Sequence, residues 1–479
     1  MHPLIRVVPI LVALALSAAD ARAATFVVTI PTDANDDGVC TPDACTLREA
    51  MNAAVATPGR DTITFDPAVL PLGQSKAIGV TDPLPVLADP AGTVVDGAGA
   101  SVILAGSGAA DGLVFASAAG TPLSGVRVAN LTVVGFPGTG IVICGGEYPA
   151  CAANVAKPVV ENVNVAGNEV AGVRIRGADV TKVRLTNVVA RLNGFGIAIA
   201  ASGVLAGTQI DGCTARFNGM ATGDAGISLT SPNAISGITI GNTIGVENGG
   251  PAVLLRSEGA LSKVKLTKVV ATKNVASGIV IGGVVSAAGV ALLDVTSVAN
   301  QFEGIAFFGG SLTGTSVKGL VSNRNGGDGL RISPNVALAG AKITDVRAIA
   351  NEGDGVEIAA AAVSGVQITR TVVTGNEGIG LRLPGSGHKL KTVRADRNGA
   401  GIQLDAPGSG NVIEQCRAHA NDGSPGGAGI RIAAGNTGNV IRDNAAQAND
   451  GPNLVDGNAN CAGNAWSNNF AVTADACLD

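Results

Sequence analysis

The stretch Val346-Arg347-Ala348-Ile349-Ala350-Asn351-Glu352-Gly353-Asp354-Gly355-Val356-Glu357-Ile358 decides how this chain folds. A short apolar strand leads into a corner built on Asn351. Glycine follows, and then a second short strand with Val356 and Ile358 at alternate positions. The same phrase returns along most of the chain, with the Asn at positions 168, 193, 218, 248, 274, 300, 325, 351, 376, 398, 421 and 449. A period of about 25 residues marks a repeat architecture, in which no unit buries its own apolar face and each must stack on its neighbours.

The strand that opens each repeat fixes the type of stacking. Its third column is Leu185, Ile210, Ile240, Leu266, Leu292, Val317, Ile343, Ile368, Leu390, Ile413 and Ile441, with mostly polar neighbours. An alternation of period two means a strand with one buried face. Ahead of the Asn the phrase holds small residues: Ala190, Ala215, Gly245, Ala271, Ser297, Ser322 and Ala348. The Asn itself reads as a residue that accepts a left-handed backbone at a tight corner. Helical periodicity is absent, which excludes two-helix solenoids, and the leucine spacing does not suit leucine-rich repeats. The expectation is an all-β fold: a right-handed parallel β-helix of about 12–13 coils with an N-terminal helix cap, its hand following strand twist. Thirteen coils at ~4.8 Å make a rod of roughly 60 Å. Over residues 126–449 the pattern resembles the parallel β-helix repeats of the pectate-lyase-like superfamily. That resemblance implies a fold and no single activity, because the architecture carries lyases, hydrolases, epimerases and adhesins.

Composition agrees. Gly at 68 of 479 residues supplies a corner in every coil, and 46% hydrophobic with 14% charged residues suits a long, thin core. A net charge of −5 argues against a nucleic-acid partner. Residues 1–23 read as a signal peptide, with Arg6, an apolar run over 7–16 and an Ala21-Arg22-Ala23 cleavage site. No other apolar run would span a bilayer. The division expected is a signal peptide at 1–23, an N-terminal cap at 24–66, the β-helix at 67–450 and a C-terminal cap at 451–479. The mature chain is expected to be a monomer that is secreted, periplasmic or held at the cell surface.

The N-terminal cap has its own signature. An acidic loop with Asp33, Asp36, Asp37 and Asp43 surrounds Cys40, and Cys45-Thr46-Leu47-Arg48-Glu49-Ala50-Met51 follows. Thr46 with Glu49 three residues later forms a capping box that opens a helix. Leu47, Met51 and Ala54 give that helix one apolar stripe, suited to covering the open edge at the end of a solenoid. This run resembles the CSLREA domain, with Thr46 for Ser and Met51 for Ile. The resemblance implies an exported bacterial β-helix protein with an N-terminal cap, and no reaction.

Eight cysteines divide by position. Cys40 with Cys45, Cys144 with Cys151, and Cys461 with Cys477 are local pairs in cap or loop segments and are expected to be bridged. Cys213 and Cys416 fall in the column of Val188, Val269, Val295 and Val346, pointing inward. They sit roughly 38 Å apart at sheet spacing, far beyond the ~7 Å a disulfide allows. They are expected to be buried free thiols.

Two constellations could carry chemistry. Asp328 and Asp354 occupy one corner position in consecutive coils, ~4.8 Å apart, and like charges that close raise one pKa toward that of a general acid. Glu352, Glu377 and the outward Glu357 lie near, with Arg331 and Arg382 flanking Glu357. Such a group could bind Ca²⁺ or act on a glycosidic bond. The competing reading is that Asp beside Gly is turn chemistry. The second constellation is basic: Lys318, Arg370, Lys391 and Arg394, with His388 and Lys389 at the adjoining corner. A cationic stripe could hold an acidic polysaccharide, and Lys391 or Arg394 could abstract a proton beside a uronate carboxylate. The competing reading is a solvated face.

Aromatic residues make up only 3%, so no stacking platform for sugars is evident. The motifs Gly-His-Gly and Arg-Ile-Lys are absent, as are paired aspartates on a coil strand, zinc or P-loop spacings and a nucleophile elbow. The sequence therefore points to an exported β-helix that binds an extended polymer such as a polysaccharide, or a cell-surface partner. A polysaccharide lyase or glycoside hydrolase acting on an acidic glycan is the alternative. No cofactor is called for beyond the Ca²⁺ option.

Overall fold

A computed structural model describes residues 23–33, 38–74, 76–108, 110–423, 426–475 and 477–478. Residues 1–22 of the signal-peptide reading, and Asp36 and Asp37 of the acidic loop, lie outside these residues.

One regular turn shows how the chain winds. Arg184–Thr186, Val189–Arg191, Phe195–Ala201 and Val204–Ala206 are four strand segments, and Gln209–Asp211 then lies directly over the first. We call these positions the first, second, third and fourth faces. Three corners turn through a single left-handed residue: Asn187, Leu192 and Gly207. Pairing is parallel, and among the described residues its register shifts only at two bulges beyond the third face, between Gly283 and Ser286 and between Gly309 and Ser311, so the first-face inward column is continuous. Leu185 stacks on Ile210, Ile240, Leu266, Leu292, Val317, Ile343, Ile368, Leu390, Ile413, Ile441 and Trp466. All but Trp466 are at most 2% exposed. Each such side chain contributes about 1.5–3 kcal/mol by leaving water.

The corner Asn is where the structure corrects the sequence reading. The left-handed residue is the one before it: Leu192, Phe217, Glu247, Lys273, Ala299, Arg324 or Ala350. The Asn itself points inward and is buried. At each step its Oδ1 accepts from both the backbone N–H and the side-chain amide of the Asn one turn earlier. Asn300, for example, accepts from Asn274 at 3.0 and 2.8 Å. Its own amide donates to Asn325 Oδ1 at 2.9 Å and to the Ala271 carbonyl at 3.3 Å. A buried amide can be kept only if its donors and acceptors are met, and a fixed repeat meets them by placing another Asn above. The small residues ahead of the corner have a steric cause. A Cβ on Gly245 would lie 2.3 Å from the Ala252 Cβ. Ser297 and Ser322 fit there by donating to the Gly304 and Gly329 carbonyls.

The solenoid makes about 15 turns, or a rod of roughly 70 Å at ~4.8 Å per turn. Strand pairing runs past 67–450 at both ends. Thr25–Val28 pairs with Thr62–Phe65 and that with Val94–Asp96; Ala465–Ser467 and Phe470–Ala471 stack on the last regular turn. These outer turns keep an inward apolar column, such as Ile63 over Val95, without the Asn corner that marks the repeat in sequence. The helix Leu47–Ala56 forms as expected, with the Thr46–Glu49 capping box reciprocal. It buries Leu47, Ala50, Met51 and Ala54 against the first two strands.

All three local disulfides are present, with Cα separations of 4.4 Å for Cys40–Cys45, 4.9 Å for Cys144–Cys151 and 5.8 Å for Cys461–Cys477. Cys213 and Cys416 are free and buried. Burial pushes their thiols up, to about 11 and about 12. No helix of the described residues is long and apolar enough to cross a membrane.

Candidate functional site

The third face carries the longest outward strands and most of the chemistry. Its first outward column runs Arg174, Ala198, Ser228, Leu254, Val280, Ala306, Arg331, Glu357, Arg382, Gln403 and Arg431. Two clusters sit on it, separated by apolar residues.

The acidic cluster is the one the sequence suggested. Arg331, Glu357 and Arg382 are consecutive in the column. Arg331 lies 3.3 Å from Glu357, 3.6 Å from Glu303 and 3.8 Å from Asp328. Arg382 lies 3.6 Å from Glu357 and 2.7 Å from Asp405. Glu303 and Asp405 were not singled out from the sequence. Asp328 and Asp354 stack at one corner as expected, but each has a structural task. Asp328 Oδ1 accepts from the Asp354 backbone N–H at 2.7 Å, and Asp354 Oδ1 accepts from that of Ile379 at 2.6 Å. Asp111 does the same for Thr139 at 2.6 Å, so turn chemistry accounts for the position itself. Burial, with Glu357 nearby, nevertheless pushes the Asp328 carboxyl up to about 7 and the Asp354 carboxyl to about 6. Five carboxyls here face two guanidiniums, which leaves a proton-holding, acid-rich patch. Glu352 and Glu377 are exposed corner residues outside this ion-pair network. Among the described residues no group of three or more His, Cys, Asp or Glu is arranged to hold a metal ion.

The basic constellation does not assemble. Lys318 and Lys391 share a first-face column, but Thr344 and Thr369 stand between them. Arg370 is a corner residue held by Asp345 at 2.7 and 2.9 Å. Arg394 lies on the second face, paired to Asp396. Lys391 is paired to Glu414 at 3.2 Å. Period-two reading gave the outward direction correctly but could not tell adjacent faces apart, nor see the acids one turn away. His388 turns inward and is buried. Its Nδ1 accepts from the Val366 N–H at 3.1 Å, and burial lowers its pKa.

A third feature was missed in the sequence. Between Arg174 and Arg256 the third face opens into a groove of about 380 Å³. Its floor is Ala198, Ala200 and Ser228, and Phe195 and Leu254 are its apolar walls. Asp224 and Pro251 close the corner side. The second outward column, Arg176, Ala200, Thr230 and Arg256, sets cations three turns apart, or ~14 Å. Among the described residues Arg174, Arg176 and Arg256 make no ion pair within 4.0 Å, unlike Arg331 and Arg382 further along. Burial, and then the Arg176 charge, lower the pKa of Arg174. Beyond Arg174, Tyr148 of the disulfide-closed loop donates to Asp111, and burial pushes its hydroxyl up to about 12. The sequence did hold a signal: the Asn interval lengthens to 30 residues between Asn218 and Asn248, and the insertion carries Asp224 to the groove.

The right-handed β-helix region family matches residues 112–302 and 303–471. Among solved structures, the Azotobacter vinelandii mannuronan C-5 epimerase AlgE4 A-module is 14% identical with a TM-score of 0.41, covering 89% of this chain and 94% of that one. The Dettilon tailspike protein is 13% identical with a TM-score of 0.30, covering 92% and 68%. The Streptococcus pneumoniae surface protein and adhesin PfbA is 9% identical with a TM-score of 0.27, covering 88% and 95%. No curated protein sequence matches the chain. Likeness at this level concerns the winding of the chain alone. With the family match spanning most of its length, the chain belongs to the right-handed β-helix family.

Proposed function

We propose that this protein is exported and that its third face holds an extended polymer, a polysaccharide, without turning it over. The observation that carries this reading is the third face itself. It is one in-register parallel sheet whose outward column joins an open groove at Arg174 to a charged cluster at Arg331. Six steps at ~4.8 Å separate the two, or roughly 29 Å. A ligand that touches both must be long and linear. Export is supported by the signal-like residues 1–23 and three disulfides, which persist in oxidising compartments. The CSLREA-like run at residues 45–51, with its capping box in place, supports the same setting.

A second reading rests on a specific observation. Carboxyls near 6 and 7 at Asp354 and Asp328, beside Glu357 and Arg331, match what a general acid in a glycan-cleaving enzyme requires. A glycan-array pull-down run together with assays for new reducing ends and for unsaturated products separates the two. Binding without product supports the binding reading. Product that disappears in Asp354→Asn overturns it in favour of a lyase or hydrolase.

A further inference from the structure

We infer that the groove bounded by Arg174, Arg176 and Arg256 is a subsite for the anionic groups of a carboxylated or sulfated polysaccharide. The inference rests on the polymer-binding reading and adds the chemistry of the ligand and its place on the rod.

Unmet charge distinguishes the groove. Along the same column Arg331 is neutralised by Glu303, Asp328 and Glu357, and Arg382 by Glu357 and Asp405, while Arg431, further along, has no carboxylate within 4.0 Å among the described residues and no second cation in its column beside it. Arg174 and Arg176 stand two residues apart on the same side of one strand, both partly buried, with no carboxylate of the described residues in ion-pair reach. Desolvating two like charges side by side costs free energy that the more distant Asp111 offsets only in part, since burial and Arg176 still lower the Arg174 pKa. A bound anion would offset it, and the planar fork of Arg suits carboxylate and sulfate oxygens. The cavity beside them has room for a sugar ring, and alanines line its floor. Arg256 at ~14 Å offers a second contact to an anionic group further along the same chain. Asp224 at the rim can only accept hydrogen bonds, which fits an anion that also carries hydroxyl donors and disfavours a bare polyphosphate. A second hollow shares Thr230 and Arg256 with the groove and extends toward Ser231 and Glu258 at the next corner.

The test uses the full chain and four hexasaccharide probes: hexagalacturonate, a mannuronate hexamer, a heparin-derived sulfated hexamer and neutral cellohexaose, by calorimetry at low and high salt. The inference predicts binding of at least one anionic probe and none detectable for cellohexaose. It also predicts that binding weakens with salt and falls at least about tenfold in Arg174→Gln and in Arg256→Gln. The uronate and sulfated arms tell which anion the groove takes. Because these charges lack partners, neither substitution should lower the melting temperature, which separates lost contacts from lost folding. Arg417→Gln, on the second face, serves as the control. Equal binding of cellohexaose that persists in both groove variants would overturn the subsite and leave polymer binding standing. Anionic binding indifferent to both substitutions would also overturn it. No binding of any probe, and no hit on the array, would remove the polymer reading as well.

Discussion

Replacing Asn300 by alanine probes what holds the turns in register. Asn300 Oδ1 takes two hydrogen bonds from Asn274, and its two amide hydrogens are shared among three acceptors, Ala271 O, Ser297 Oγ and Asn325 Oδ1. Several partners have somewhere else to turn. Ser297 still donates to Gly304, Asn325 Oδ1 still accepts from the residue-300 N–H, and the Asn274 amide keeps Gly245 O. The Asn274 backbone N–H has no replacement and is left orphaned in the interior. An unmet buried donor costs about 1–3 kcal/mol, and the void left by the amide adds about 1 kcal/mol more. Asn300→Ala should therefore destabilise by roughly 2–4 kcal/mol. Asn233→Ala, which removes an exposed bond to Ser202 O, should cost no more than about 1 kcal/mol. Urea unfolding followed by circular dichroism measures both. A solenoid is coupled turn by turn, so the defect should also lower hydrogen-exchange protection around residues 274–325 before the ends. An Asn300→Ala midpoint within about 0.5 kcal/mol of wild type would refute the ladder as a stabilising element.

Three further outcomes follow from the same geometry. The carboxyls of Asp328 and Asp354 are raised to about 7 and about 6, so they favour folding while protonated; that contribution is complete below about pH 4 and is lost as pH rises through 6 to 7. Melting temperatures of Asp328→Asn/Asp354→Asn against wild type should therefore diverge between pH 4 and 7 and run parallel above. His388 has a lowered pKa and occupies the column continued by Asn411 and Asn439; its contribution is present above about pH 6.5 and is lost as pH falls, so His388→Asn should keep neutral-pH stability and flatten the acid side of a melting-temperature profile. Thiol titration should find two reactive groups in the denatured, unreduced protein and none in the native one, because Cys213 and Cys416 are sealed in the core.

How much of this was legible in the sequence depended on the range of each interaction. Inward columns were legible because period two dictates the direction of a side chain whatever lies around it, so Leu266 and Ile343 fell where expected. The free thiols followed from that register. The role of Asn351 was not legible. Asn is common both in left-handed corners and in buried ladders, and only the hydrogen bonds to Asn325 and Asn376 tell these apart. The acidic corner was found because Asp328 and Asp354 repeat at the period. The pairing of Arg370 with Asp345 and of Lys391 with Glu414 was not anticipated, because partners one turn away are distant in the sequence. The Arg174 groove escaped for the opposite reason: it is made by a departure from the period, the lengthened turn before Asn248.

Polymer binding on the third face predicts which side of the rod is covered. Hydroxyl-radical footprinting, with and without the polysaccharide that binds most tightly, reads each face separately. Protection is predicted at Phe195, Leu254 and Arg256 on the third face. Val189 and Ile244 on the second face, 38% and 40% exposed, should react unchanged, as should Val204 on the fourth. Protection of the second or fourth face with the third left open, or no protection at saturating polysaccharide, would contradict it.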